Sequence, residues 1–315
     1  MPALPRVFAD LPVSDDVTEL CADKVELVPW GGDTNGVVAV YTYGHPTVDA
    51  ALLDTLPGVR VVSNNGVGVD HIDLSATAAR GIVVGNTPGV LNGATADLAF
   101  ALLLAAGRRL VEGDRYARGP DFHRFDPSYM LGREVHGATL GIVGMGRIGE
   151  QVARRGRGFG MTVLYCNRRR NEAAEVTLGA TFAPLDDLLE RSDYVVLTVP
   201  LSAETRGLIG RAELARMKPT ASLINVARGA VVDVAALTDA LRDRRIHAAA
   251  LDVTDPEPLP RDHPILALPN VIITPHLGSA TVETRRRMAE VSVDNLMLGL
   301  AGKPLLHAVL PLAPR

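Results

Sequence analysis

The segment that most constrains the fold of this chain is residues 139–149, which read TLGIVGMGRIG. Residues 140–143 form a short apolar run of the kind found in buried strands, and the apolar positions after residue 149 fall on one face of a helix. A strand, a turn with glycines at positions 144, 146 and 149, and a helix follow one another in dinucleotide-binding βαβ units. The segment therefore predicts a parallel sheet that binds a dinucleotide.

Each glycine of this turn has its own physical reason. Gly144 allows the tight turn, Gly146 lets a pyrophosphate approach the backbone, and Gly149 lets the helix pack against the strand. At the start of the helix, free N–H groups and the positive end of the helix dipole favour phosphate, so Arg147 and Ile148 are candidate cofactor contacts. The same glycine spacing also occurs in ordinary turns, so the interpretation depends on the flanking strand and helix.

The end of the next predicted strand, residues 161–166, bears on the choice of cofactor. An acidic residue about 20 positions after the glycines usually binds the ribose 2′-hydroxyl of NAD. This chain instead has Asn167, Arg168, Arg169 and Arg170. Guanidinium groups attract a 2′-phosphate through charge-assisted hydrogen bonds. We therefore expect NADP(H) to be preferred, with NAD(H) as the second cofactor; the alternative is a solvent-exposed basic turn.

Composition narrows the class of protein. A length of 315 residues suggests about two domains, and a formal charge of −4 gives no indication of nucleic-acid or membrane partners. The longest apolar stretch, residues 98–106, is far shorter than the roughly 20 residues of a membrane span. Cys21 and Cys166 lack metal-site spacing and suit free thiols in a reducing compartment. We expect a cytoplasmic enzyme without a metal site.

Strand and helix patterns alternate over most of the chain, which predicts two α/β domains with parallel sheets. In the first, helices are predicted at 17–27, 47–56 and 74–80. A buried helical run from residue 93 to 110, with an extension to 118 left open, would connect the domains. We expect two doubly wound domains, in which a Rossmann dinucleotide-binding domain, residues 99–286, is inserted into a flavodoxin-like substrate domain, residues 1–98 and 287–315.

A loop in the first domain, residues 63–71, follows a predicted strand at the carboxyl edge of the sheet, where open α/β sheets bind ligands. Glycines two positions apart allow successive N–H groups to face one anion. The loop predicts a cradle for a substrate carboxylate, but it also suits a tight connection in which Asp70 or Asp73 caps the next helix, and both can hold together. The candidate contacts are Asn65, Gly66, Val67 and Gly68.

Three loops at strand ends of the second domain carry a compatible set of side chains. Arg228 can grip a carboxylate and polarise a neighbouring carbonyl. His276 can donate a proton to the carbonyl oxygen, and Glu257 beside it would hold the ring and favour its protonated form. Taken singly, each residue also has an ordinary structural explanation. Their joint occurrence at strand ends of a dinucleotide domain favours catalysis.

With these residues, the chain resembles the D-isomer-specific 2-hydroxyacid dehydrogenase family over nearly its whole length. The resemblance lies in four segments: GMGRIG at 144–149, NVARGAVV at 225–232, LDVTDPEPL at 251–259 and TPHLGS at 274–279. Within the family, the stretches 252–264 and 275–281 look most like those of glyoxylate/hydroxypyruvate reductases. A phosphoglycerate dehydrogenase fits less well, since many of those enzymes carry an added regulatory domain.

The resemblance implies a role for each matching residue. Arg228 would be the substrate-binding arginine, His276 the general acid and Glu257 its partner, while the N–H groups at Val67 and Gly68 would hold the substrate carboxylate. Asp252 would lie near the nicotinamide amide. Further cofactor contacts are expected from Thr95, Val199, Pro200, Thr205, Val226, Ala227 and Gly278. The family is usually dimeric through its dinucleotide domains, so we expect a homodimer.

The working hypothesis is NADPH-dependent reduction of a small 2-oxo acid, glyoxylate or hydroxypyruvate, to the D-2-hydroxy acid. One alternative within the family is a larger substrate, such as 2-ketogluconate or an aryl-pyruvate. An alternative of another class is a non-catalytic NAD(P)-sensing protein like the co-repressors that share this fold, since those relatives keep the same three residues. A panel of 2-oxo acids distinguishes the possible substrates. Oxidation of NADPH with glyoxylate distinguishes an enzyme from a cofactor-sensing protein.

Overall fold

A computed structural model describes residues 3–10 and 12–309 of the chain. Its strands are β1 (Arg6–Ala9), β2 (Glu26–Pro29), β3 (Val37–Thr42), β4 (Val61–Asn64), β5 (Val83–Gly85), β6 (Thr139–Val143), β7 (Thr162–Cys166), β8 (Thr181–Phe182), β9 (Tyr194–Leu197), β10 (Ser222–Asn225), β11 (Ala248–Leu251), β12 (Val271–Ile273) and β13 (Ala308–Val309). Its α-helices are α1 (Asp15–Cys21), α2 (Ala50–Asp54), α3 (Leu74–Ala79), α4 (Asn92–Gly107), α5 (Leu110–Arg118), α6 (Arg147–Gly158), α7 (Glu172–Leu178), α8 (Leu185–Arg191), α9 (Arg211–Arg216), α10 (Val234–Arg242) and α11 (Val282–Leu300).

The chain divides into two compact units, and the first comprises Met1–Leu91 with Thr281–Arg315. Its sheet has the strand order β13-β5-β4-β3-β1-β2. Strands β1 to β5 are parallel and in the flavodoxin-like order, while β13 pairs antiparallel with β5 at the edge. Successive residues alternate between two buried clusters, as Val61 and Val62 do, so helices cover both faces of the sheet.

The second unit, Asn92–Ala280, contains a seven-stranded sheet in the order β12-β11-β10-β9-β6-β7-β8. All its pairings are parallel, and from β6 onward this is the Rossmann strand order. Ile142 and Val143 fall in different buried clusters, because neighbouring residues of a strand face opposite sides. Strands β10, β11 and β12 lie side by side, which brings their carboxyl ends to one edge.

The units divide after residues 91 and 280, earlier than the predicted boundaries after 98 and 286. The predicted boundaries would cut through helices α4 and α11. Ala96, Ala99 and Leu103 of α4 instead belong to the same buried cluster as Leu140 and Ile142 of β6. The whole of α4 therefore packs with the dinucleotide unit, because a helix that buries one continuous surface stays with one core.

Two predicted helices need correction. The helix predicted at 17–27 ends at Cys21, and the chain then forms β2, which pairs with β1 over its full length. Local apolar spacing could not reveal that distant pairing. The long helical run from residue 93 breaks after Gly107, since Arg109 takes a left-handed backbone conformation with φ of 53°. The extension to residue 118 is therefore a separate helix, α5.

Besides β2, three short elements were not predicted: α7, β8 and β13. Strand β13 adds part of the C-terminal tail to the first unit, while residues 310–315 of the predicted substrate domain lie outside the described residues. Among the helices of the described ranges, none combines the length and apolar character that a membrane crossing requires.

Candidate active site

The glycine turn between β6 and α6 has the geometry that a dinucleotide phosphate needs. Gly144 has a φ of 108°, and a Cβ there would lie 2.8 Å from the backbone nitrogen of Val199. A Cβ at Gly149 would lie 2.3 Å from the Gly144 carbonyl oxygen, whereas a Cβ at Gly146 would meet no atom within 4 Å. The turn is therefore tight on its inner side and open where a pyrophosphate would approach the start of α6.

The side chain of Asn167 holds this turn from the end of β7. Its Oδ1 accepts a hydrogen bond from the Met145 backbone nitrogen at 2.7 Å. Asn171 donates to the Met145 carbonyl at 3.0 Å and to Glu150 at 3.0 Å. Asn167 was predicted as a cofactor contact; the structure places its amide on the loop that would bind the cofactor.

The three arginines that follow Asn167 differ in their surroundings. Arg170 donates to both carboxylate oxygens of Glu175, at 3.0 and 2.6 Å, and its guanidinium lies 5.8 Å from the centre of the Phe182 ring. The Arg170 guanidinium lowers the pKa of Glu175. Arg168 and Arg169 are exposed and make no ion pair within the described part of the chain. Two of the three cations are therefore available to an anionic ligand.

Arg228, Glu257 and His276 follow three neighbouring strands of one sheet. Arg228 comes three residues after β10, Glu257 follows β11, and His276 follows β12. Because the strands are parallel, all three loops leave the same carboxyl edge. All three side chains are partly accessible or exposed, so a ligand can reach this edge.

Glu257 and His276 are in direct contact. His276 Nδ1 lies 2.8 Å from Glu257 Oε1, and Glu257 Oε2 accepts a hydrogen bond from the Thr254 backbone nitrogen at 3.3 Å. His276 has a φ of 56°, a conformation rarely adopted outside glycine, asparagine, aspartate and histidine. The ring is thus held by a carboxylate at Nδ1.

Asp252 fixes the loop that carries His276. Its buried carboxylate accepts hydrogen bonds from the Thr274 hydroxyl at 2.6 Å and from the backbone nitrogens of Leu277 and Gly278 at 2.7 and 2.8 Å. Its backbone oxygen accepts from the His276 nitrogen at 2.9 Å. A buried carboxylate with three donors is well compensated, so Asp252 defines the path of this loop.

Thr95, at the start of α4, lies close to Asp252 and Gly278. A Cβ at Gly278 would lie 3.2 Å from Asp252 Oδ2 and 3.5 Å from Thr95 Oγ1. Three residues predicted from distant segments as cofactor contacts therefore meet within the second unit.

The loop that carries Arg228 is closely packed against the next one. Asn225 Nδ2 donates to the Arg228 carbonyl at 2.9 Å, and Asn225 Oδ1 accepts from the Ala227 nitrogen at 3.0 Å. A Cβ at Gly229 would lie 2.0 Å from the Thr254 carbonyl carbon. Only glycine allows this approach, which sets Arg228 beside the segment that holds Glu257. Val226 and Ala227 are buried.

The loop after β9 adjoins the glycine turn. Thr198 Oγ1 donates to the Gly144 carbonyl at 2.6 Å, and Val199 is the residue against which Gly144 packs. Thr205 Oγ1 donates to the Pro200 carbonyl at 2.7 Å and accepts from the Ser202 nitrogen at 2.8 Å. Thr205 therefore shapes this loop, and Pro200 at its tip is exposed.

In the first unit, the loop after β4 exposes backbone donors, but not in the way the glycine spacing suggested. Neither Gly66 nor Gly68 has a positive φ. Instead, Asn64 Nδ2 donates to the carbonyls of Gly66 and Gly68 at 3.0 and 2.9 Å, and Asn86 Nδ2 donates to that of Val67 at 2.9 Å. Two asparagines that the sequence did not single out, the buried Asn64 and the partly buried Asn86, therefore hold these carbonyls, together with the Thr87 nitrogen, which donates to that of Gly66 at 3.0 Å.

Other parts of this loop have structural roles. The backbone nitrogen of Asn65 donates to the Thr42 carbonyl at 2.8 Å, so it is used within the fold. Asp73 caps α3 by accepting from the nitrogens of Ser75 and Ala76, both at 2.9 Å, and the hydrogen bond from the Ser75 hydroxyl lowers the pKa of Asp73. Of the two interpretations left open by the sequence, the helix cap is confirmed at Asp73, and the anion cradle stays a prediction.

The described residues contain no group of three His, Cys, Asp or Glu side chains arranged to hold a metal ion.

Known proteins of one family are similar to this chain. Residues 100–278 match the family model described as D-isomer specific 2-hydroxyacid dehydrogenase, NAD binding domain. The chain is 50% identical over 266 residues to a glyoxylate reductase of Korarchaeum cryptofilum, and the matched region covers 84% of this chain and 79% of that protein. It is 44% identical over 314 residues to a glyoxylate reductase of Aeropyrum pernix, covering 95% and 94% of the two chains.

A solved structure is similar over almost the whole chain. It is that of an NADPH-dependent glyoxylate/hydroxypyruvate reductase from Sinorhizobium meliloti in complex with NADP and malonate. The sequence identity is 34%, the TM-score is 0.89, and the match covers 98% of this chain and 97% of the other.

Proposed function

This chain belongs to the D-isomer specific 2-hydroxyacid dehydrogenase family and is a nicotinamide-dependent dehydrogenase, and from that premise we propose that it reduces glyoxylate and hydroxypyruvate with NADPH. The similar proteins named above are described as glyoxylate or glyoxylate/hydroxypyruvate reductases. The observation that carries the proposal is the 2.8 Å contact between Glu257 and His276, which follow strands next to that of Arg228.

The proposed chemistry divides between the cofactor and the chain. When bound, the nicotinamide supplies a hydride to the keto carbon of the substrate. His276 holds the proton for the carbonyl oxygen at Nε2, since Nδ1 is engaged by Glu257. Arg228 binds the 2-oxo acid and polarises its carbonyl, and the backbone N–H groups at Val67 and Gly68 bind its carboxylate. Asp252 keeps the His276 loop in place and would face the nicotinamide amide.

The preference for NADPH rests on Arg168 and Arg169. Both are exposed at the end of β7 and unpaired within the described ranges, whereas Arg170 is occupied by Glu175. A carboxylate that would repel a 2′-phosphate is missing from residues 166–170. We propose that Arg168 and Arg169 bind the 2′-phosphate of NADPH and that NADH is the weaker cofactor. Arg147 and Ile148 would contact the pyrophosphate through the start of α6.

A homodimer is part of the same proposal. Several large apolar side chains of the second unit are exposed in the segment from α5 to β6: Leu110, Phe122, Phe125, Tyr129 and Leu131. Phe125 is 81% exposed and Leu131 is 70% exposed, and exposed apolar groups of this kind mark association surfaces.

The free thiols Cys21 and Cys166 suit a reducing compartment, and we place the enzyme in the cytoplasm.

The test is a panel of 2-oxo acids measured against both reduced cofactors. The proposal predicts saturable oxidation of NADPH with glyoxylate and hydroxypyruvate, and D-glycerate as the product from the latter. Faster turnover with 2-ketogluconate or an aryl-pyruvate would assign a larger substrate, and turnover with NADH equal to that with NADPH would reject the cofactor preference. Tight NADPH binding without turnover of any acid would indicate a cofactor-sensing protein instead.

A further inference from the structure

The loop of residues 65–69 in the first unit has an unusual division of its backbone groups. The carbonyl oxygens of Gly66, Val67 and Gly68 all accept hydrogen bonds from within the unit. In a trans peptide the carbonyl of one residue points opposite to the N–H of the next. The N–H groups of Val67, Gly68 and Val69 therefore point away from those donors, and they have no acceptor among the residues that the structure describes.

The amide of Asn64 holds two of these three peptides, and the Thr87 backbone nitrogen, which donates to the Gly66 carbonyl at 3.0 Å, also holds the first of them. Asn64 Nδ2 donates to the carbonyls of Gly66 and Gly68, and its Oδ1 accepts from the Thr42 hydroxyl at 2.8 Å. With both ends engaged, the amide has one orientation. Asn64 is 2% exposed, so its side chain is shielded from solvent beneath the loop.

Asn86 controls the remaining peptide. Its Nδ2 donates to the Val67 carbonyl at 2.9 Å. Its own carbonyl accepts from Asn295 Nδ2 of α11 at 3.0 Å, and its nitrogen donates to the His307 carbonyl at 3.2 Å. The residue that directs the middle peptide is therefore fixed by the C-terminal part of the unit.

We infer that Asn64 and Asn86 are positioning residues for substrate binding: they turn three consecutive N–H groups outward to receive the carboxylate of the 2-oxo acid. The inference rests on the proposed function, in which those N–H groups bind that carboxylate. Neither asparagine touches the substrate. Each acts by holding carbonyl oxygens that would otherwise be free to turn toward the anion and repel it.

Asparagine-to-aspartate changes test this role with little change of shape. Asn64→Asp replaces the donor Nδ2 by an oxygen that faces the carbonyls of Gly66 and Gly68. The Gly68 peptide, which has no other donor among the described residues, should turn, whereas the Thr87 nitrogen still holds the Gly66 carbonyl. Asn86→Asp makes the same replacement at one carbonyl. The matched control is Asn270→Asp, because Asn270 is also buried and its Nδ2 also donates to two carbonyls, those of Leu241 and His247, but in the other unit.

The readout separates positioning from general damage. For Asn64→Asp we expect the KM for glyoxylate to rise about 10- to 100-fold, the range for misaligned hydrogen bonds to a charged group. Since such binding is lost equally in ground and transition states, kcat should stay within about threefold. The Kd of NADPH, measured by its fluorescence, should not change. Asn86→Asp should raise KM less, and Asn270→Asp should leave it at the wild-type value.

The inference is overturned if folded Asn64→Asp keeps a KM within about twofold of wild type, or if Asn270→Asp raises KM equally. Should Asn64→Asp fail to fold, Asn86→Asp decides by the same comparison. Should the wild type reduce no 2-oxo acid, the proposed function fails, and amide hydrogen exchange with oxalate then judges the inference alone. Oxalate should slow exchange at residues 67–69 in wild type and less in Asn86→Asp; equal protection in both would refute the role.

Discussion

Glu257 Oε1 lies 2.8 Å from His276 Nδ1, although 19 residues separate the two positions in the chain. The contact forms because Glu257 follows β11 and His276 follows β12, and these strands are neighbours in the sheet. In the proposed mechanism, His276 uses its other ring nitrogen, Nε2, because Nδ1 is engaged by Glu257. The loops on which the two residues lie are held in turn by Asp252 and by the Thr254 nitrogen.

The glycine turn gives a prediction that separates folding from cofactor binding. Gly146→Ala should fold with a melting temperature close to that of the wild type, because a Cβ there meets no protein atom. The methyl group would occupy the path of the pyrophosphate, so we expect the Kd of NADPH to rise about tenfold or more. Fluorescence titration and thermal unfolding measure the two effects.

Gly149→Ala is the matched comparison, since it adds the same methyl group three residues later. There the Cβ would lie 2.3 Å from the Gly144 carbonyl oxygen, and overpacking of this kind costs about 1–3 kcal/mol. We expect a clear loss of unfolding free energy. Equal stability of the two variants would contradict the assignment of Gly146 to the ligand and Gly149 to packing.

The basic segment after β7 predicts a change of cofactor preference. Replacing both Arg168 and Arg169 by serine should lower kcat/KM for NADPH about 10- to 100-fold, because charge-assisted hydrogen bonds to the 2′-phosphate are lost. The value for NADH should change little. Arg170→Ser is the control, because that guanidinium is held by Glu175, and it should retain the wild-type ratio. A shared effect of all three changes would mean that net charge alone is responsible.

His247, which lies outside the candidate active site, should make the free energy of unfolding depend on pH. Burial, followed by the charges of Arg133 and Arg109, lowers the pKa of His247 below its ordinary value of 6.5. As the pH falls through that value, the unfolded chain takes up the proton first, so the folded state loses stability. This loss is absent above the unfolded pKa and is complete once the pH falls below the lowered folded pKa.

His247→Gln removes this titration. We expect the decrease in unfolding free energy between about pH 7.5 and about pH 5.5 to be smaller in the variant than in wild type. Urea unfolding at both pH values measures it. His123→Gln, which removes a histidine from an exposed loop, should retain the wild-type decrease. A decrease in His247→Gln as large as in wild type would show that His247 does not contribute.

Much of this arrangement was accessible from the sequence, because it depends on local rules. The roles of Gly144, Gly146 and Gly149 follow from strand–turn–helix geometry, and the structure gives each the expected surroundings. The nearness of Glu257 and His276 followed from parallel strands that end at one edge. The family and the two-sheet α/β architecture were predicted correctly and confirmed by the comparisons and by the strand pairings.

What the sequence did not reveal depends on contacts between distant segments. Strand β2 exists because it pairs with β1, and α4 ends because Arg109 adopts a left-handed conformation. The glycines of the loop at residues 63–71 suggested a backbone nest, yet the carbonyls of Gly66 and Val67 are held by Asn64 with the Thr87 nitrogen and by Asn86. Asparagine side chains can satisfy many partners, so no residue pattern identifies which backbone groups they hold.

The central claim is that His276 delivers the proton to the substrate carbonyl, and the most direct measurement is kcat for glyoxylate reduction by His276→Asn. Asparagine tolerates the positive φ of this position but cannot act as a proton donor of comparable acidity. We predict a fall in kcat of about 10²- to 10⁴-fold, with NADPH binding unchanged and with His123→Asn equal to wild type. A loss of less than about tenfold in folded His276→Asn would contradict the claim.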